Sequence, residues 1–175
     1  MRALVLFAML SAVQTAWAGV VDRIEVVVED ELVMTSDLAV DSILQRLDDS
    51  PSPFWRDPPA DPAKRLADAA LMRHLASDLA IYQPSQAEVQ RRLDALVLGQ
   101  FENRRAWLQF VEQWGLDEAS VRTLLKQRLL VERYLRRNLV VPPEDLELWW
   151  SAYERLMATE RARARIRFVD AVAEP

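Results

Sequence analysis

Ala162-Arg163-Ala164-Arg165-Ile166-Arg167-Phe168 is the stretch on which the fold turns. Its strict alternation puts Arg163, Arg165 and Arg167 on one face and Ala164, Ile166 and Phe168 on the other. That is the pattern of a β-strand with one face buried. A single strand is not stable and needs a partner. The other strand-like segment is Val20 to Met34, where Val20, Val21, Ile24, Val26, Val27, Val28 and Val33 are β-branched and suit a pleated surface. Glu29-Asp30-Glu31 interrupts its apolar run and predicts a hairpin. The two ends of the chain are therefore predicted to meet in one small sheet. The expected fold class is mainly α, with a small antiparallel β-sheet.

The residues between these ends read as helices. Ser36 is the predicted N-cap of a first helix running to about Leu47, with Leu38, Val40, Ile43, Leu44 and Leu47 apolar. Residues 49–61 carry Pro51, Pro53, Pro58 and Pro59 and predict a surface loop holding Phe54 and Trp55. Asp61 then caps a second helix with Pro62 at its first position, lined by Leu71, Leu75 and Leu79. Ser85-Gln86-Ala87-Glu88 has the form of a capping box. It opens a helix faced by Val89, Leu93, Leu96 and Val97, which Gly99 is expected to end.

Trp107, Phe110, Val111 and Trp114 share one helical stripe, closed by Gly115. Asp117 caps a longer helix carrying Val121, Leu124, Leu125, Leu129, Leu130, Tyr134 and Leu135. Pro142-Pro143 breaks the chain. Glu144-Asp145 then favours a last helix, through the dipole, with Leu146, Trp149, Trp150, Tyr153 and Leu156.

Residues 1–18 read as an address rather than as structure. Met1-Arg2 is followed by an uncharged apolar run from Ala3 to Val13, and Ala16-Trp17-Ala18 supplies the small residues read by a signal peptidase. A cleaved leader is the preferred reading, with a retained anchor as the rival. The apolar run is short for a membrane span, so stable membrane insertion is not expected. Residues 19–175 are then expected to form a single domain in the periplasm.

The chain has 22 basic and 27 acidic residues, a net charge of −5. That balance argues against nucleic acid as a partner. The pairs Arg91–Arg92, Arg104–Arg105 and Arg136–Arg137 read as solvated helix faces. The absence of cysteine excludes disulfides and thiol chemistry. His74 is the sole histidine and reads as a partly buried helix residue, so no catalytic triad is expected. Asp48–Asp49 and Glu144–Asp145 read as helix-end acids. Three glycines leave no phosphate cradle. Catalytic residues, cofactors and metal ligands are expected to be absent.

The aromatic residues remain. Trp107, Phe110 and Trp114 read first as core. Trp149 and Trp150 are neighbours, about 100° apart around a helix, so at least one is expected near the surface. For Trp55 and for one of Trp149 and Trp150, burial and peptide contact both stay open. An exposed indole offers apolar area together with an N–H donor. The candidate peptide-binding set is Trp55, Trp149, Trp150, Trp107 and Trp114.

The order of these segments resembles SurA-type periplasmic chaperones. The resemblance is carried by Val20-Val21-Asp22-Arg23-Ile24 through Val33-Met34-Thr35-Ser36-Asp37-Leu38. It continues in Trp107-Leu108-Gln109-Phe110 to Gly115-Leu116-Asp117, then Val121 and Leu125-Lys126 to Arg137. Val141-Pro142-Pro143-Glu144-Asp145 follows, with Pro142 where a small hydroxyl residue is common, and Glu160 to Val169 closes the series. The resemblance implies a chaperone core whose last strand returns to the N-terminal strands. Leu146 to Phe168 leaves no room for a parvulin-type prolyl isomerase domain, so isomerase activity is not implied. What is implied is a non-enzymatic binder of unfolded or extended polypeptide, with outer-membrane proteins among its clients. A free sheet edge would add backbone hydrogen bonds to such a client. The alternative is an interaction or assembly module for one specific partner, or a homodimer formed by strand exchange.

Overall fold

The computed structural model describes residues 22–58 and 60–169. The expected leader, residues 1–18, and Val20 and Val21 lie outside the described residues. The element order is β1 (Ile24–Val28), β2 (Glu31–Met34), α1 (Thr35–Leu47), α2 (Pro53–Arg56), α3 (Pro62–Ala76), α4 (Gln86–Gln100), α5 (Arg104–Gln113), α6 (Glu118–Asn138), α7 (Leu146–Arg161) and β3 (Ile166–Phe168). One 3-10 turn, Ala80–Tyr82, precedes α4. The fold is mainly helical with a small antiparallel sheet of three strands in the order β2-β1-β3. The C-terminal strand does pair with the N-terminal one: Val26 lies opposite Phe168, Val27 opposite Arg167 and Val28 opposite Ile166.

Only part of the alternating stretch is strand. Helix α7 continues to Arg161, and residues 162–164 turn, with Arg163 and Ala164 donating to the Glu160 and Arg161 carbonyls. Ala164 and Ile166 reach the core, but Phe168 is 49% exposed because β3 is an outer strand.

One side of the sheet buries Val26, Val28 and Val33 against α3. The helix approaches closely because Ala67, Ala69, Ala70 and Ala76 are among its buried residues and present little side-chain bulk. The C-terminal half of α6, α7 and the short α2 complete this first core, around Phe54, Leu71, Leu135, Trp149, Tyr153 and Met157. A second core joins α1, α4, α5 and the N-terminal half of α6, around Leu44, Leu93, Trp107, Val111, Val121 and Leu125.

The caps follow the sequence at most helices. The side chains of Asp61, Ser85, Asp117 and Asp145 each accept a backbone N–H three residues on. Glu88 completes the capping box by accepting from the Ser85 N–H at 2.8 Å. Its carboxyl is held down to about 2 by the Ser85 hydroxyl, the Ser85 N–H and Arg133.

Ser36 is not the cap of α1. The helix leaves β2 directly, and Asp37 accepts the Met34 N–H at 2.8 Å from inside the first turn. Ser36 instead donates its N–H and hydroxyl to Asp22, at 3.0 and 2.6 Å. Gly99 does not end α4, which runs to Gln100 and stops where Phe101 goes extended and packs against Trp107 and Phe110. Gly115 does terminate the α5 region, at φ +65°. Leu79 lies beyond the end of α3 and is 49% exposed, and His74 is exposed rather than partly buried.

Candidate functional site

An open groove of about 590 Å³ lies between β2 with α1 on one side and the α5–α6 corner on the other. Its walls are Leu32 and Val40 facing Trp114, Leu116 and Leu124, and Leu44, Trp55, Asp41 and Arg128 reach it from below. Leu32 is 50% exposed, so one wall of the groove is an apolar side chain in contact with water. The position of the far wall follows from Gly115. Its left-handed conformation turns the chain sharply between α5 and α6 and brings Trp114 and Leu116 to the same rim.

The groove opens beside a sheet edge that no strand pairs among the described residues. β2 is an outer strand, and β1 occupies its other side. Strand β2 therefore presents backbone donors and acceptors as well as side chains.

Beneath the groove runs a chain of buried charges. Asp41 accepts from Arg65 and, at 2.8 Å, from Arg128 Nη2. Arg128 Nη1 reaches Asp48 Oδ2 at 3.1 Å, and Arg92 bridges Asp48 and Glu132. The Ser50 hydroxyl donates to Glu132 Oε1 at 2.6 Å. Three carboxylates thus balance three guanidiniums with alternating sign. All except Arg92 are buried. Burial pushes the Glu132 carboxyl up, against the opposing pull of Arg92 and Ser50. It pushes the Arg65 guanidinium down, opposed by Asp41.

This layer falls where α1 and α6 pass from one core to the other. On α6, Leu125 belongs to the second core and Leu135 to the first, with Arg128 and Glu132 between them. Breaking one partner of such a buried pair costs about 3–5 kcal/mol, because a charge is left without its counterion.

Of the tryptophans picked out from the sequence, Trp55 and Trp114 come together at this groove. The surface-loop expectation for Trp55 is corrected. Pro53 starts the short helix α2, which inserts Phe54 and Trp55 into the first core at 0% and 3% exposure. Arg128 lies over the Trp55 ring, 4.4 Å from its centre, and Phe54 meets the ring edge-on. Trp107 is 1% exposed and is core.

Trp149 is buried and stacks on Tyr153, and its edge lines a separate hollow of about 480 Å³ with Pro51, Pro53, Leu139, Val141 and Pro143. Trp150 is half-buried at the rim of the first core. One of the adjacent pair is indeed nearer the surface, and it is Trp150.

Sequence reasoning missed the buried charge layer. Arg91 and Asp49 are exposed as expected, but their neighbours Arg92 and Asp48 are drawn into the charge layer, Asp48 buried and Arg92 partly so. A signal was present: Val121, Leu125, Arg128, Glu132 and Leu135 fall at alternating four- and three-residue steps, so two charges stand within an apolar stripe.

A second buried polar contact ties α7 to α3. The Tyr153 hydroxyl donates to Asp68 at 2.6 Å, and Arg161 Nε donates to the same carboxylate at 2.7 Å. Burial pushes the Tyr153 hydroxyl up, and Asp68 adds to that shift. These contacts hold the end of α7, and hence the turn leading into β3.

Among the described residues, no cluster of histidine and carboxylates has the arrangement of a metal site. No helix among them is long and apolar enough to cross a membrane. No family model matches the chain, and no curated protein matches it closely enough to count as a relative.

Proposed function

We propose that the protein is an exported, chaperone-like binder of unfolded or extended polypeptide, acting in the periplasm, with outer-membrane proteins among its clients. The observation that carries this reading is the open groove whose apolar wall, Leu32, belongs to a sheet edge left unpaired among the described residues. A client would gain affinity by laying apolar side chains on Leu32, Val40, Leu116 and Leu124. Sequence tolerance would come from the shallow, open shape. The order of segments shared with SurA-type chaperones supports the client class, and the pairing of both chain ends is consistent with that order. The proposed action is binding, without bond chemistry.

The test is client breadth. The mature chain should suppress light scattering from several unrelated chemically unfolded proteins, and Leu32→Asp should weaken that suppression. A chain that suppresses none of them and co-purifies with one partner would instead be a dedicated assembly module. Acceleration of cis–trans exchange in a proline peptide would overturn the non-enzymatic reading.

A further inference from the structure

We infer that Leu32 is a single-residue backbone clamp, and that the groove takes an uncharged, extended segment paired to β2 with basic residues flanking it. This rests on the polypeptide-binding reading above and specifies how the client is held.

The direction of each peptide group in β1 follows from the β3 contacts. The Glu29 N–H donates to the Arg165 carbonyl, and the Val169 N–H donates to the Glu25 carbonyl, both at 2.9 Å. Residues 25 and 29 therefore face β3, and so, by the two-residue repeat, does Val27. Val26 and Val28 must then turn their N–H and C=O towards β2. Their partners there are Val33 and Glu31. Leu32, opposite Val27, lies between these bonded pairs. Its own N–H and C=O point away from the sheet, along the side where its side chain lines the groove.

The edge is closed on both sides of this position. The Met34 N–H, the next outward donor, is already taken by Asp37 at 2.8 Å. On the other side the strand ends at once: Glu31 starts β2, its backbone paired with Val28 across the turn at Glu29-Asp30. An incoming strand thus finds one residue offering both a donor and an acceptor, which is the unit exchanged by a hydrogen-bonded pair of β residues.

Charge decides the occupant. The groove arginines are neutralised from within, Arg73 by Glu31 and Arg128 by Asp41 and Asp48. Asp37 lines the groove as an exposed carboxylate, and no cation pairs with it among the described residues. An anionic ligand or a chain-terminal carboxylate finds no spare positive charge, whereas a lysine or arginine beside the paired residue finds Asp37. A second copy of β2 is a poor occupant. Antiparallel pairing about Leu32 would set Asp30 and Glu31 of one chain near Asp37 of the other.

The experiment uses the mature chain and a fluorescein-labelled peptide of alternating threonine and leucine, with a central phenylalanine to fix its register and lysines at both ends. Peptides N-methylated at one position at a time are compared by fluorescence anisotropy. Methylation at one position should weaken binding about tenfold, the value of the lost bond and the steric conflict, with little effect at the adjacent positions. Replacing the lysines by glutamates should also weaken binding.

Leu32→Pro removes an N–H that the sheet does not use, and should reproduce the loss, while Leu32→Ala keeps the backbone clamp and should retain the position-specific effect. Binding that is insensitive to every N-methyl group, or equally sensitive at all of them, would overturn the clamp and leave the polypeptide-binding reading intact. Failure to bind this peptide and every unfolded protein would sink that reading as well. Concentration-dependent dimers abolished by Leu32→Pro would assign the edge to a second copy and overturn the proposal.

Discussion

Glu29 and Arg165 clasp the C-terminal strand to the hairpin turn. The Arg165 backbone N–H donates to Glu29 Oε1, and its guanidinium Nε to Oε2, each at 2.9 Å. The Glu29 N–H returns a bond to the Arg165 carbonyl. Glu29 holds this geometry at φ +50°, a left-handed conformation uncommon for a residue with a long side chain. The clasp stands at the entry to β3, a strand of three residues.

The Arg165 N–H, followed by its side chain, lowers the Glu29 carboxyl below its ordinary value of 4.5. A carboxylate lowered on folding contributes above its unfolded value, and the contribution is lost as pH falls through the folded value. Acidification below pH 4.5 should therefore loosen β3 before the helices melt. Relative to the intrinsic rate at each pH, hydrogen exchange at the Glu29 and Val169 amides should quicken, and Glu29→Ala should quicken it at neutral pH. Exchange unchanged in that variant would mean that β3 is held by other contacts.

Asp41 should be the most sensitive carboxylate for stability. It receives Arg65 and Arg128 while only 6% exposed. Asp41→Ala leaves two buried guanidiniums short of a counterion and should cost about 3–5 kcal/mol in urea unfolding. Asp49→Ala, next to Asp48 but exposed, should stay within about 0.5 kcal/mol of the parent. Equal effects of the two substitutions would refute the ordering of the buried layer.

The two described glycines should respond with opposite signs. Gly115 has φ +65°, so Gly115→Ala should destabilise by about 1 kcal/mol, although a Cβ there meets nothing within 4 Å. Gly99 lies inside α4 with open space around it and no left-handed φ. Gly99→Ala should stabilise by about 0.5–1 kcal/mol through the gain in helix propensity. Thermal unfolding of both variants is the check.

Trp55→Ala should behave as a core truncation. The ring is 3% exposed, between Phe54 and the Arg128 guanidinium. A loss of about 3–5 kcal/mol is expected. Stability near that of the parent would return Trp55 to the surface, where the proline-rich segment alone would put it.

The sequence determined the six longer helices, most of their caps and the meeting of the two ends. These are local matters: a side-chain oxygen reaches an N–H three residues away, and a two-residue alternation needs a sheet. Asp61, Ser85 and Asp117 could be read directly, as could the stop at Gly115. Tertiary structure decided which charges were buried, which tryptophans met water and which edge stayed open. Arg91 and Arg92 are the same residue type side by side, yet only Arg92 meets Asp48 and Glu132, which come from elsewhere in the chain. Trp55 went inside because α2 docks on a core built by α3, α6 and α7. Burial and strand-edge pairing depend on partners distant in sequence, and a reading limited to neighbouring residues has no access to them.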